Sequence, residues 1–112
     1  MPLPHNIERV LESVLGADGH LDRAIRVAAA DRAAAAGGAT RDTTDIPDPL
    51  RPYVDKITET PYKVVDADVA SLKNGGLSED QIFELTVATA LGAASGRLEK
   101  VLGLLDEKSS CD

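Results

Sequence analysis

The side chains best suited to chemistry are few in this chain and poorly spaced for it. Cys111 is the single cysteine among 112 residues, and a thiol without a second thiol makes neither an internal disulfide nor a redox pair. His5 and His20 are the only histidines, one ahead of a helix and one in a turn, and neither has a Cys or His partner at ligand spacing. No metal and no other cofactor is expected. Tyr53 and Tyr62 are the only tyrosines; a tyrosine on a helical stripe is core with its hydroxyl at the rim, and pocket lining is the alternative. Glu79, Asp80 and Glu84 stand at the start of a long helical segment, where unpaired amides and the helix dipole stabilise negative charge, so capping accounts for them before catalysis does.

The elements that must position these residues are all helical. Ile7, Val10, Leu11, Val14 and Leu15 recur at three and four, with Asn6 as N-cap and Gly16 as stop. Leu21 to Ala36 is rich in alanine, the strongest helix former, and ends at Gly37-Gly38. Its apolar face is weak, which predicts a place on the surface or against a partner. Residues 37–49 carry glycines, threonines, aspartates and two prolines without periodicity and read as a connecting loop. Leu50, Tyr53, Val54 and Ile57 form the next stripe, with Pro49 and Pro52 tolerated in the first turn and Pro61 ending or interrupting the helix. Val65, Val69 and Leu72 follow, with Asp66 near the positive end, and Asn74-Gly75-Gly76 breaks the chain.

Ser78 and Gln81 have capping-box spacing, so a long helix starts there. Phe83, Val87, Ala90, Leu91, Ala94, Leu98, Val101, Leu102 and Leu105 define its expected apolar face. Gly92 and Gly96 in its middle each cost roughly 0.5–1 kcal/mol relative to alanine. That cost predicts another backbone packed against them, within the protomer or at a subunit contact, and a cavity-opening kink is the alternative. Strand-like alternation is absent.

Composition bounds the rest. At this length one domain is expected: a helical arm over 1–36, a loop over 37–49, a helical core over 50–107 and a tail over 108–112. Aromatic residues make up 3% and tryptophan is absent, so the core is thin and completion by neighbouring copies is expected. A net charge of −7 without a basic cluster argues against nucleic acid and anionic lipid. With no signal-peptide pattern and no long apolar run, the expected setting is cytoplasmic, away from membranes.

Residues 61–85, PYKVVDADVASLKNGGLSEDQIFEL, together with the Ala/Gly-rich helix after them, resemble the AhpD-like (carboxymuconolactone decarboxylase-type) family over roughly Leu50 to Leu105. In redox members a Cys-x-x-Cys pair followed four residues later by histidine opens a helix that runs to a small-residue turn and then a capping-box helix. Here Pro61 and Val64 stand at the cysteine positions and Asp68 at that of the histidine. The resemblance implies a helical bundle assembled as a trimer or hexamer; with the helices read above, the expected fold is all-α, an AhpD-like bundle with an N-terminal helical arm and a long C-terminal helix. Dithiol peroxidase chemistry does not carry over, because it needs a thiolate nucleophile and a resolving thiol.

Two functions follow. One is a non-redox, oligomeric binding or accessory subunit with a protein partner or a small organic ligand. The other is a small decarboxylase- or isomerase-type enzyme acting on a small organic acid or lactone. The resemblance places Tyr62, Lys63 and Asp68 in the active-site segment, with Asp68 as base and Tyr62 and Lys63 polarising a carbonyl or binding an anion. Against that role, Asp68 also reads as a solvated acid in the first turns of a helix.

Overall fold

A computed structural model describes residues 3–16, 18–43 and 45–110, with backbone alone for 107–110. The helices are α1 (His5–Gly16), α2 (Arg23–Ala36), α3 (Arg51–Glu59), α4 (Asp66–Asn74) and α5 (Glu79–Ser110), with short 3-10 turns at Asp48–Leu50 and Pro61–Lys63. The fold is all-α, with no strand among the described residues. At 1.5 Å per residue α5 is about 48 Å long, which sets the long dimension of the 55 × 29 × 22 Å molecule.

Local hydrogen bonding explains the helix ends. Ser78 Oγ accepts from the Gln81 amide at 3.1 Å while Gln81 Oε1 accepts from the Ser78 amide at 2.9 Å, a complete capping box. Helix α4 ends in a Schellman turn: Gly76 has φ +103°, its amide donates to the Lys73 carbonyl, and the Leu77 amide donates to the Leu72 carbonyl. Helix α2 ends the same way, with Gly38 at φ +109° and the Ala39 amide donating to the Ala34 carbonyl. Helix α1 begins at His5, with the Pro4 carbonyl accepting from Ile7 and Glu8, so Asn6 lies inside the helix rather than capping it. The helix α5 backbone continues to Ser110, beyond the expected start of the tail at 108, and Cys111 lies outside the described residues.

Two expectations about packing are overturned. Helix α2 is the centre of the molecule, not a surface arm: Ala28, Ala29, Ala30, Ala33 and Ala34 are all buried, and its contact with α5 is the most extensive in the fold. The helices run parallel, Ala30 against Gly92, Ala34 against Gly96 and Gly38 against Lys100. A Cβ added at Gly92 or Gly96 would lie 2.6 Å from the Cα of Ala30 or Ala34 respectively. Backbone meets backbone, so the small residues that made α2 look weakly apolar are what bury it. The glycines are used within the protomer and not at a subunit contact.

The second correction concerns the face of α5. The buried face is Ile82, Leu85, Ala88, Thr89, Ala93 and Ser95 with the two glycines, whereas Phe83 is 69% exposed and Val101, Leu104 and Leu105 are about half exposed. Leu21, Ile46, Leu50, Tyr53, Val54, Leu72, Ile82 and Leu85 form the main cluster, gathered at the N-terminal half of α2 and α5. Thr89 is buried because its hydroxyl donates to the Leu85 carbonyl at 2.7 Å, which satisfies the polar atom within the helix.

Candidate functional site

The segment carrying Tyr62, Lys63 and Asp68 does not form one helix. Residues 61–63 make a 3-10 turn, Val64 and Val65 are extended, and α4 begins only at Asp66. Asp68 is therefore the third residue of α4, and its carboxylate reaches back to the Val65 amide at 2.8 Å. Valine has no side-chain acceptor to return the bond, so this is half of a capping box. The same oxygen accepts from Lys56 Nζ at 2.9 Å, tying α3 to α4. The Lys56 bond first, then the Val65 amide, hold the Asp68 carboxyl below the ordinary aspartate range. A base needs the opposite shift, toward the working pH. Tyr62 is 80% exposed and Lys63 is exposed as well, so the three side chains do not converge on an enclosed volume.

Tyr53, in contrast, is 7% exposed with its hydroxyl 2.7 Å from Thr86 Oγ1, a core tyrosine with its polar end satisfied. His20 remains near the surface with Nε2 3.8 Å from Asp80 Oδ2, and no cluster of metal-ligating side chains occurs among the described residues.

Glu84 has a role different from the expected capping of its own helix. Its carboxylate accepts from the His20 amide at 2.9 Å and from the Leu21 amide at 2.7 Å, so it clamps the turn between α1 and α2 onto α5. Gln81 Nε2 adds a bond to the His20 carbonyl at 3.1 Å. Gly19 is held against the clamp so closely that an added Cβ would meet the carboxyl carbon of Glu84 at 3.0 Å. Buried Arg26 extends the same corner by donating to the Val14 carbonyl at 2.7 Å, a cation at the C-terminal end of α1.

Burial alone would raise the Glu84 pKa, but the His20 and Leu21 amides, helped by the nearby His20 and Arg26 charges, hold it below the ordinary glutamate value. A depressed folded-state pKa stabilises the fold above the unfolded value, about 4.3, and that stability is lost as pH falls through the folded value. The melting temperature should therefore drop on acidification from pH 6 to below pH 4, and Glu84→Gln should give a flatter profile; circular dichroism melts at stepped pH measure both. Identical slopes for the two proteins would dismiss the clamp.

Two cavities among the described residues have linings that do not include Tyr62, Lys63 or Asp68. One of about 320 Å³ opens where α2, α4 and the chain before α3 meet, walled by Leu21, Ile25, Leu50, Leu72 and Leu77, with Ser71 at its edge. A second, of about 180 Å³ and almost wholly apolar, lies between α1 and α5 against Ile7, Leu11, Leu91, Ala94 and Leu98.

Fold and site define an all-α helical protein with apolar cavities, in which Tyr62, Lys63 and Asp68 are not gathered in one of them. Compared with protein-family models, curated proteins and solved structures, the chain matches none. No helix among the described residues is long and apolar enough to cross a membrane.

Proposed function

We propose that this protein is a non-catalytic, self-associating helical binding module, a non-redox relative of the AhpD-like proteins acting as an accessory subunit in the cytoplasm. The carrying observation is the engagement of Asp68. The one carboxylate at the resemblance's catalytic position is held in its charged form by Lys56 and the Val65 amide. The chain break at 74–76, the capping box and the long small-residue helix support the kinship, while the extended residues 64–65 depart from it. No observation favours the decarboxylase or isomerase reading, since Tyr62 and Lys63 face solvent.

Exposed apolar side chains support self-association. Val101, Leu104 and Leu105, towards the C-terminal end of α5, are each about half exposed.

Light scattering at micromolar concentration should report an oligomer, and Val101→Lys with Leu104→Lys should dissociate it without lowering the helix content. The lysines would be desolvated at the contact and would repel those of the neighbouring copy, and that local cost is what drives dissociation. A wild-type monomer would refute self-association. Acid/base catalysis would instead be revealed by an activity that falls about 10²- to 10⁴-fold in Tyr62→Phe, Lys63→Ala or Asp68→Asn.

A further inference from the structure

The cavity between α2 and α4 has the attributes of a small-molecule site, and its chemistry restricts what enters. Its volume of about 320 Å³ lies at the lower end of the range for ligand pockets. At the ~30 Å³ that a water molecule takes in the liquid, it has room for about ten non-hydrogen atoms. Leu21 and Ile25 supply one wall and Leu72 and Leu77 the other. Pro47 and Pro49 add stiff backbone that has no N–H to offer. Gly75, in the Schellman turn that ends α4, completes the lining, and the cavity stays open to solvent.

Two backbone groups at this cavity are engaged elsewhere. The Leu21 amide is taken by Glu84, and the Ser71 carbonyl accepts from the Gly75 amide. Ser71 is the one polar side chain in the lining, and it is exposed, so its hydroxyl is open to an entering molecule.

Charge decides between ligand classes. No charged side chain lines the cavity; Arg51, next in sequence to the wall residue Leu50, pairs with Asp48 at 2.8 Å through its terminal nitrogen while its buried Nε is without a hydrogen bond. Asp22, next in sequence to the wall residue Leu21, accepts from the Ala24 amide as the N-cap of α2. An incoming carboxylate would find no cation in the lining and would meet the field of a chain carrying −7.

We propose that this cavity binds an uncharged, largely hydrocarbon molecule of eight to ten non-hydrogen atoms whose single hydroxyl or carbonyl hydrogen-bonds to Ser71. The inference rests on the reading of the protein as a binding module and names its ligand class. Removal of apolar ligand surface from water supplies the affinity, and the Ser71 bond supplies orientation.

Titration of the intact ¹⁵N-labelled protein with 1-octanol, followed by amide chemical shifts, tests it. Saturable shifts confined to residues 21–25, 47–50 and 71–77 are expected, with octanoate at least tenfold weaker. Ser71→Ala should weaken 1-octanol roughly three- to tenfold, the value of one hydrogen bond. Ile25→Trp, which fills the cavity, should abolish saturation. If that variant does not fold, Ser71→Phe serves the same purpose from the cavity edge. Non-saturating shifts, shifts centred on the exposed end of α5, or octanoate binding as tightly as 1-octanol would overturn the proposal. A monomeric protein that still binds 1-octanol at these residues would refute self-association and leave the site standing; an oligomer that ignores 1-octanol would do the reverse.

Discussion

Replacement of Gly96 by leucine should abolish cooperative thermal unfolding at neutral pH. An added Cβ at this position would sit 2.6 Å from the Cα of Ala34 and 2.8 Å from its carbonyl carbon. Overpacking against side chains costs about 1–3 kcal/mol because rotamers can yield. Here the obstacle is the main chain of α2, which can move only as a whole helix. Separating α2 from α5 would expose Ala29, Ala30, Ala33 and Ala34 together, and domains of this kind have only about 5–15 kcal/mol of stability in total. Gly103 provides the control, because nothing lies within 4 Å of an added Cβ there. Gly103→Leu should raise the melting temperature, since glycine in an exposed helix interior costs roughly 0.8–1.0 kcal/mol relative to alanine. Circular dichroism melts of both variants measure the contrast, and a wild-type melt for Gly96→Leu would mean that the helices are not this close.

Leu85→Ala should lose about 2–5 kcal/mol in urea unfolding, the range for deleting a buried leucine and leaving a cavity. Leu85 is fully buried in the main cluster that also holds Tyr53, Val54 and Leu72. Phe83, two residues earlier on the same helix and larger, is 69% exposed, and Phe83→Ser should change stability by no more than about 0.5 kcal/mol. The pair reads out which face of α5 is inside, because ranking by side-chain hydrophobicity alone predicts the reverse order of effects. A Phe83→Ser loss that rivals Leu85→Ala, in a protein shown to be monomeric, would turn α5 around.

Which parts of this molecule were legible in its sequence follows from the range of the interactions involved. The capping box at Ser78 and Gln81, the stop at Asn74 to Gly76 and the tolerance of Pro49 and Pro52 depend on groups three or four residues apart. The residue types in one short window therefore determine them. The lack of a dithiol motif is likewise a statement about residue types.

Tertiary structure decided the rest. Glu84 finds its amide partners 63 and 64 residues away, and nothing in its helical window distinguishes that role from N-terminal capping. Asp68 joins Lys56 across two elements, which turns a candidate base into a tether. The exchange of faces on α5 has the same origin. Periodicity weighs each residue by its own apolar surface, so Phe83, Val101 and Leu105 outrank Gly92, Ala93 and Gly96. Burial in this fold is set by how closely two backbones approach, and that favours the residues with the least side chain.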